Sequence, residues 1–451
     1  MQSKIRVVFG IVFLITSAHL CAQNTDLEAL AGLKFNFGNP GARSLAMGGA
    51  FIGLADDASA AEANPAGLTI LRKREVSIEL RNTATSQNFP VGGVYPLINE
   101  KDFPSRRSAI GFASAVLPLH NAAFAVYYHR PLQFQNSANV GERYSTPTFY
   151  LGPNGPVSAA ECAHTVGCQQ QQVYPYTANA NVQLSTYGGA AAYAWRNVSF
   201  GAAVRYQVFR EQATTTRTDI DLPGSPVFVV SQTHGNKMFG KSANNDLTWI
   251  GGVKWSPSIK LSLGAVYKKG ASFPAPVFAG PVTAGSTASP TMVAVTEFHV
   301  PDSAGAGFSY RPLSNLTVNA DVVRMRYSSL TDHFISVIEY GTEGVASVEG
   351  LKGYESHDGT ELHAGVEYFI LSKTPFAIRA GWWRDPPHTI HYGAPLVVPH
   401  DVAAAILFPD RRGENHYSVG VGIAIPAFQI DVAYDTSETL KQATVSVVAR
   451  Y

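Results

Sequence analysis

The chain is short of charge, of cysteine and of long apolar runs, and each shortage removes a class of protein. Asp, Glu, Lys and Arg make up 15% of its 451 residues, against about 25% in typical soluble domains. An ordinary water-facing surface is therefore poorly supplied. The balance of 34 Lys+Arg against 33 Asp+Glu leaves a net charge of +1, which lacks the basic footprint of a nucleic-acid binder. Cys21, Cys162 and Cys168 are the only cysteines, and no C-x-x-C pair offers a zinc site. After residue 22 no stretch of 18 apolar residues occurs, so no helix is expected to cross a membrane. The G-x-S-x-G and H-E-x-x-H motifs are missing too, so no catalytic residue is assigned and no enzyme is expected. Neither a cofactor nor a metal is expected.

What is present begins with an export signal. Lys4 and Arg6 form a charged start, Val7 to Ile15 an apolar run, and Thr16 to Ala22 lead to cleavage after Ala22. The residues before Cys21, Ala18-His19-Leu20, lack the small-residue spacing of a lipid attachment signal. Export places Cys162 and Cys168 in an oxidising compartment, where a small-loop disulfide is expected.

From Glu75 onward apolar and polar residues alternate in segments of about ten, the length of a tilted membrane strand. Val198, Phe200, Ala202, Val204, Tyr206 and Val208 share one face; Ser199, Gly201, Ala203, Arg205 and Gln207 share the other. Tyr417 to Ile425 and Phe428 to Tyr434 repeat the pattern. An apolar medium on one side and a polar interior on the other explain it. Strands are expected near 75–82, 107–117, 121–130, 182–195, 198–211, 246–256, 259–269, 297–311, 315–327, 360–370, 375–384, 415–425, 427–436 and 441–451. Tight turns such as Arg196–Asn197 and Pro426–Ala427 alternate with long polar stretches such as 83–106, 131–180 and 385–414. Short turns at one end and long loops at the other mark a transmembrane barrel. The fold class predicted is all-β: a 14-stranded antiparallel transmembrane β-barrel. Pro301 interrupts the eighth strand and predicts a bulge or a late start there. Trp249 and Trp255, six positions apart, are expected on the lipid face at the two rims.

Between signal and barrel lies Asn39 to Leu71, too apolar for a surface loop and too broken by Gly and Pro for one helix. It reads as an N-terminal hatch inside the lumen, giving the division 1–22 signal, 23–74 hatch, 75–451 barrel. Ser59 and Glu62 have the spacing of a capping box. Asn64 can cap a second short turn with Pro65 as its first residue.

The stretch GARSLAMGGAFIGLADDASAAEANPAGL, with its Asn64-Pro65-Ala66 corner, resembles the FadL family of hydrophobic-compound transporters, which includes the TodX-type aromatic-hydrocarbon channels. Further matches are PDSAGAGFSYRPLSNLTVNADVVRMRYSSL at 301–330, IRAGWWRDPP at 378–387 and FPDRRGENHYSVGVG at 408–422. The resemblance implies an outer-membrane channel for long-chain fatty acids or aromatic hydrocarbons, plugged by its hatch. It also implies a sideways exit beside a kinked third strand, here Asn121–Arg130, followed by Pro131 and holding no internal Gly or Pro. PorV-like barrels of secretion assemblies have a similar hatch and bind partners instead, an alternative that the hatch motif leaves open.

Apolar ligand contacts are expected from Leu45, Met47, Phe51, Ile52 and Leu54 of the hatch, unless these only pack it into the barrel. Arg205, Asp321, His363, Glu367, Arg379, Asp431 and Arg450 fall on inward strand faces. They are expected to form a lumen network holding the hatch; the other reading makes Arg205 or Arg379 an anchor for a fatty-acid carboxylate. Asp56 and Asp57 can pair with such arginines. The partners expected are the bilayer, a hydrophobic small molecule and, through the terminal Tyr451, the outer-membrane assembly machinery. The stretch His388–Asp410 reads as a polar outer loop.

Overall fold

The computed structural model describes residues 37–140, 148–172, 176–218, 235–281, 291–332, 336–341, 344–348, 353–396 and 399–451. The signal, its cleavage point and residues 23–36 of the expected hatch lie outside the described residues.

Fourteen antiparallel strands close into a barrel. They are β1 Glu75–Val94, β2 Leu97–Leu119, β3 Ala122–Val140, β4 Tyr176–Trp195, β5 Val198–Thr218, β6 Gly235–Trp255 and β7 Leu261–Lys268. There follow β8 Ser303–Leu313, β9 Leu316–Met325, β10 Gly359–Ile370, β11 Phe376–Asp385, β12 Glu414–Ala424, β13 Phe428–Thr436 and β14 Leu440–Arg450. Each pairs with the next, and β1 pairs with β14 from Glu75↔Arg450 to Thr85↔Leu440, so the wall has no free edge there.

The wall is inside-out relative to a water-soluble protein. On β12, Tyr417, Val419, Val421 and Ile423 are exposed while His416 and Ser418 are buried. On β5, Phe200, Val204 and Tyr206 face out while Arg205 and Gln207 face in. Trp249 and Trp255 both point outward, as expected. Only lipid makes such an apolar belt favourable, and closure gives every strand two paired neighbours.

Of the expected loops 83–106 and 131–180, the described residues are largely strand. β1 and β2 run as one hairpin to Val94↔Leu97, and β4 and β5 remain paired out to Tyr176↔Arg217. Their outward residues turn polar above the belt, as with Arg210 and Gln212 on β5, so hydropathy alone made them resemble loops. β8 starts late, at Ser303. Thr291–His299 forms a separate ladder with Ser272–Pro281, and Val300 to Asp302 is the break that Pro301 predicted.

The hatch threads the lumen as α1 Ala42–Ala46, α2 Ala60–Ala63 and a 3₁₀ turn Pro65–Ile70. Asn64 caps that turn by accepting from the Ala66 amide at 3.2 Å, with Pro65 in first position. The capping box at Ser59 does not form. Its hydroxyl donates to Asp57 Oδ1 at 2.6 Å, and Glu62 turns away to cations of the wall (below). A capping box is found instead at Ser158–Glu161, starting α3 Ala159–Cys162 in the outer region. There Cys162 and Cys168 are joined as a disulfide, their Cα atoms 5.4 Å apart.

Candidate functional site

Two interiors are stacked inside the barrel: a polar lumen filled by the hatch, and above it an apolar vault walled by the extended strands.

Alternation aims every second side chain inward, and the hatch takes up many of the polar ones. Glu367 on β10 lies between two guanidinium groups. Arg43 of α1 donates from Nε and Nη2, both at 2.8 Å, and Arg379 of β11 donates from Nε at 2.6 Å. Arg379 also donates from Nη1 to Asp431 at 2.8 Å. Asp431 accepts from Gln429 at 2.8 Å; Gln429 accepts from Arg450 at 2.7 Å; Arg450 donates to Glu75 at 2.7 Å. The chain of contacts thus runs from hatch to β10, β11, β13, β14 and β1. It steps over β12 at Gly422, where a Cβ would meet Asp431 Oδ1 and Arg379 Nη1.

The other polar candidates also hold the hatch. Asp321 Oδ2 accepts from the Phe51 and Ile52 amides at 2.6 and 2.7 Å. His363 Nδ1 lies 2.7 Å from the Gly48 carbonyl, to which it donates. Gly48 itself has φ +63, and a Cβ there would lie 2.7 Å from the backbone of Trp382; glycine meets both demands. Arg205 Nη1 faces Glu62 at 3.3 Å, and Lys268 Nζ stands 3.7 Å from the same carboxylate. Asp56 pairs with Arg43 and, at 3.2 Å, with Arg311.

The Asn64-Pro65-Ala66 corner is seated on the wall. Asn64 Nδ2 donates to the Ile52 carbonyl at 3.1 Å and to the Val253 carbonyl at 3.2 Å. Opposite it stand Gly201 of β5 and Gly252 of β6. A Cβ at Gly201 would lie 2.2 Å from the Ala66 amide nitrogen, and one at Gly252 2.2 Å from Asn64 Oδ1. Met47, Phe51, Ile52 and Leu54 are buried in one apolar cluster with Phe112, Tyr127 and Ile250 of the wall. Leu45 is half-buried and packs against Ala42, Ala46 and Ala433.

Sequence reasoning missed Arg43, Lys254 and Lys268. Lys254 donates from Nζ to the Leu54 carbonyl. Its parity was available: Trp249 and Trp255 face out, so residue 254 faces in. Glu62 was assigned to a cap because local spacing says nothing of the cations across the lumen.

Above the hatch the interior changes character. Leu132, Phe134, Leu184, Phe209, Phe273 and Tyr327 belong to one buried apolar cluster. The Phe209 ring stacks on Phe298 at 4.5 Å and on Phe273 at 5.2 Å. The His388–Asp410 stretch contributes to this vault rather than forming a purely polar loop. Ile390 and Phe408 are buried in it, and α4 Pro399–Leu407 sets Val402 and Ile406 against Phe149. His388 stacks on Tyr327 at 4.4 Å and lies 3.2 Å from Asp385.

Lumen and vault meet beside β3. That strand runs on to Val140, so Pro131 is internal to it, contrary to the expected end at Arg130. Pairing with β4 shifts between His129 and Leu132, two residues of β3 opposing one of β4. Below this bulge Phe124 and Val126 point out to lipid; above it Leu132 and Phe134 point inward. One extra residue inverts the phase of a strand, which lets even-numbered apolar positions serve lipid below and vault above. At the same level the β2–β3 ladder stops at Phe112↔His129, although both strands continue with their other neighbours. A small cavity lies where they part, lined by Arg81, Thr83, Arg107, Arg130, Pro131 and Leu132 among others.

No protein-family model matches the chain, and no curated protein matches it in sequence. Solved structures do match in shape. A FadL homologue of Pseudomonas aeruginosa superimposes with TM-score 0.66 at 14% identity, over 92% of this chain and 99% of that one. The toluene transporter TbuX of Ralstonia pickettii gives 0.59 at 14% identity, over 92% and 99%. The toluene transporter TodX of P. putida gives 0.58 at 14% identity, over the same shares of the two chains. The fold is the hatch-and-barrel fold of these proteins.

Proposed function

We propose that this chain is an outer-membrane channel for passive uptake of hydrophobic small molecules, long-chain fatty acids or monoaromatic hydrocarbons, and no enzyme. The observation that carries it is the apolar vault set directly above a polar lumen occupied by the hatch, beside a parted pair of strands. A ligand entering from outside meets Phe209, Phe273 and Leu132, where each buried methylene contributes about 0.8 kcal/mol. Straight passage downward is opposed by the hatch and its ion pairs. The parting of β2 and β3 beside Pro131 offers a sideways route into lipid instead. The proteins of like fold named above as toluene transporters support this chemistry.

In this reading Arg379 and Arg205 retain the hatch rather than anchor a carboxylate, since Glu367, Asp431 and Glu62 already face them. Residues 1–22 serve as the cleaved export signal, and Tyr451 as the mark read during assembly into the outer membrane.

The test is uptake by cells with the gene deleted and restored, across labelled long-chain fatty acids and alkylbenzenes. Restoration should raise uptake of at least one class while leaving hydrophilic sugars unchanged. Equal uptake of every hydrophobic probe in both strains would overturn the proposal.

A further inference from the structure

A group of residues in the outer region has no part in the route described above. Glu355 and His391 face one another across a short antiparallel ladder, Tyr354–Glu355 against His391–Tyr392. His357, two residues beyond Glu355, falls on the same side, its ring centroid 5.1 Å from that of His391. One carboxylate oxygen of Glu355 and one ring nitrogen of each histidine lie within 4.8 Å of one another. Glu355 and His357 are exposed and His391 is buried, so the group is open to water on one side and anchored on the other.

The anchored residue is oriented as a ligand would be. His391 Nδ1 lies 3.5 Å from the Thr389 carbonyl, and Nε2 faces Glu355 Oε1 at 3.8 Å. A proton on Nδ1, shared with a carbonyl, leaves the Nε2 lone pair free. This is the tautomer that backbone carbonyls enforce on metal-bound histidines.

We propose that Glu355, His357 and His391 form a binding site for one borderline divalent transition cation of the Zn(II) type. Two imidazoles and one carboxylate suit such an ion, whereas Ca²⁺ and Mg²⁺ take oxygen ligands. Bonds of about 2.0–2.2 Å in a tetrahedron hold donor atoms roughly 3.4 Å apart. The three donors therefore have to draw in by about an ångström, which rotation of the exposed Glu355 and His357 side chains supplies. Water completes the fourth position. No local motif betrayed the group, because its ligands come from segments more than thirty residues apart that only the Tyr354–Tyr392 pairing brings together.

The site has a mechanical consequence. Tyr354 and Tyr392, next to two of the ligands in sequence, meet at 5.3 Å and pack against the apolar vault. A bound ion would staple the two segments that roof it.

The experiment uses the full chain in detergent, purified on a tag without histidine and stripped with a chelator. Co(II) is the probe, because tetrahedral coordination gives it strong visible bands. One equivalent per chain should bind with those bands, and Zn(II) should displace it. His391→Ala should weaken binding on the order of 100-fold, and so should His357→Ala, while His164→Gln, at an exposed histidine elsewhere in the outer region, should leave it unchanged. Glu355→Gln alters an exposed side chain without disturbing the roof and must also weaken binding. All variants are first checked for heat-dependent gel migration, the sign of a folded barrel. Absence of tetrahedral bands in the unaltered chain, or wild-type affinity in Glu355→Gln or His357→Ala, would overturn the site.

Discussion

Single residues decide how firmly the hatch is held. Glu367 is fully buried between Arg43 and Arg379, so its loss leaves two buried guanidinium groups short of a counter-charge. Glu367→Gln should destabilise the protein by about 3–5 kcal/mol, the usual cost of breaking a buried pair from one side. Urea unfolding in micelles measures it, and a cysteine placed at Leu45 should become more reactive in the same variant. In the outer region His388 provides a pH response. Burial disfavours its charged form, but Asp385, the Pro386 carbonyl and Glu361 outweigh burial and raise its pKa above 6.5. A raised histidine stabilises the folded state fully below about pH 6.5 and loses that contribution as pH rises through its folded value. Protease resistance of the 386–396 segment, assayed with chelator present, should therefore decline as pH rises above about 6.5. His388→Gln should flatten the profile.

At the scale of elements, the Asn64-Pro65-Ala66 corner fits tightly against β5–β6. Gly201→Val would drive a side chain into the Ala66 amide. Overpacking of this kind costs about 1–3 kcal/mol. The corner should lift, and a cysteine at Ala66 should become accessible to a membrane-impermeant thiol reagent. β3 carries the second prediction. Deleting Pro131 removes the extra residue between His129 and Leu132 and lets the β3–β4 register run unbroken. The β2–β3 ladder can then continue past Phe112↔His129. Uptake of hydrophobic probes should fall severalfold while the barrel still folds; undiminished uptake would show that the exit lies elsewhere.

The whole molecule is defined by where its outer surface changes from lipid to water. Along β5 that change falls between Tyr206 and Arg210, both outward-facing. Val204→Arg should cost about 2–4 kcal/mol if it lies near the bilayer midplane, and Gln212→Arg about 0–1 kcal/mol. Unfolding from lipid vesicles compares the two. Above the boundary the strands remain paired but reverse their logic, polar outward and apolar inward. That half of the molecule makes the vault, and hydropathy there resembles loop because its outward residues are ordinary water-facing ones.

The division between sequence and structure follows the range of the forces involved. Alternation along a strand is local, so the strand number, the lipid face, the outward aspect of Trp249 and Trp255, the late start after Pro301 and the Asn64-capped turn could be read from residue order alone. What each inward side chain meets depends on strands far away in sequence. Arg43 reaches Glu367, Glu62 abandons its cap for Arg205 and Lys268, and Gly201 and Gly252 form a seat that no local signal marks. Pro131 was visible in the sequence, but its position inside β3 became clear only once pairing with β4 carried the strand to Val140. Local periodicity determined that a barrel forms and which face meets lipid. Closure of that barrel, which brings distant residues within hydrogen-bonding reach, decided what fills it and where its wall parts.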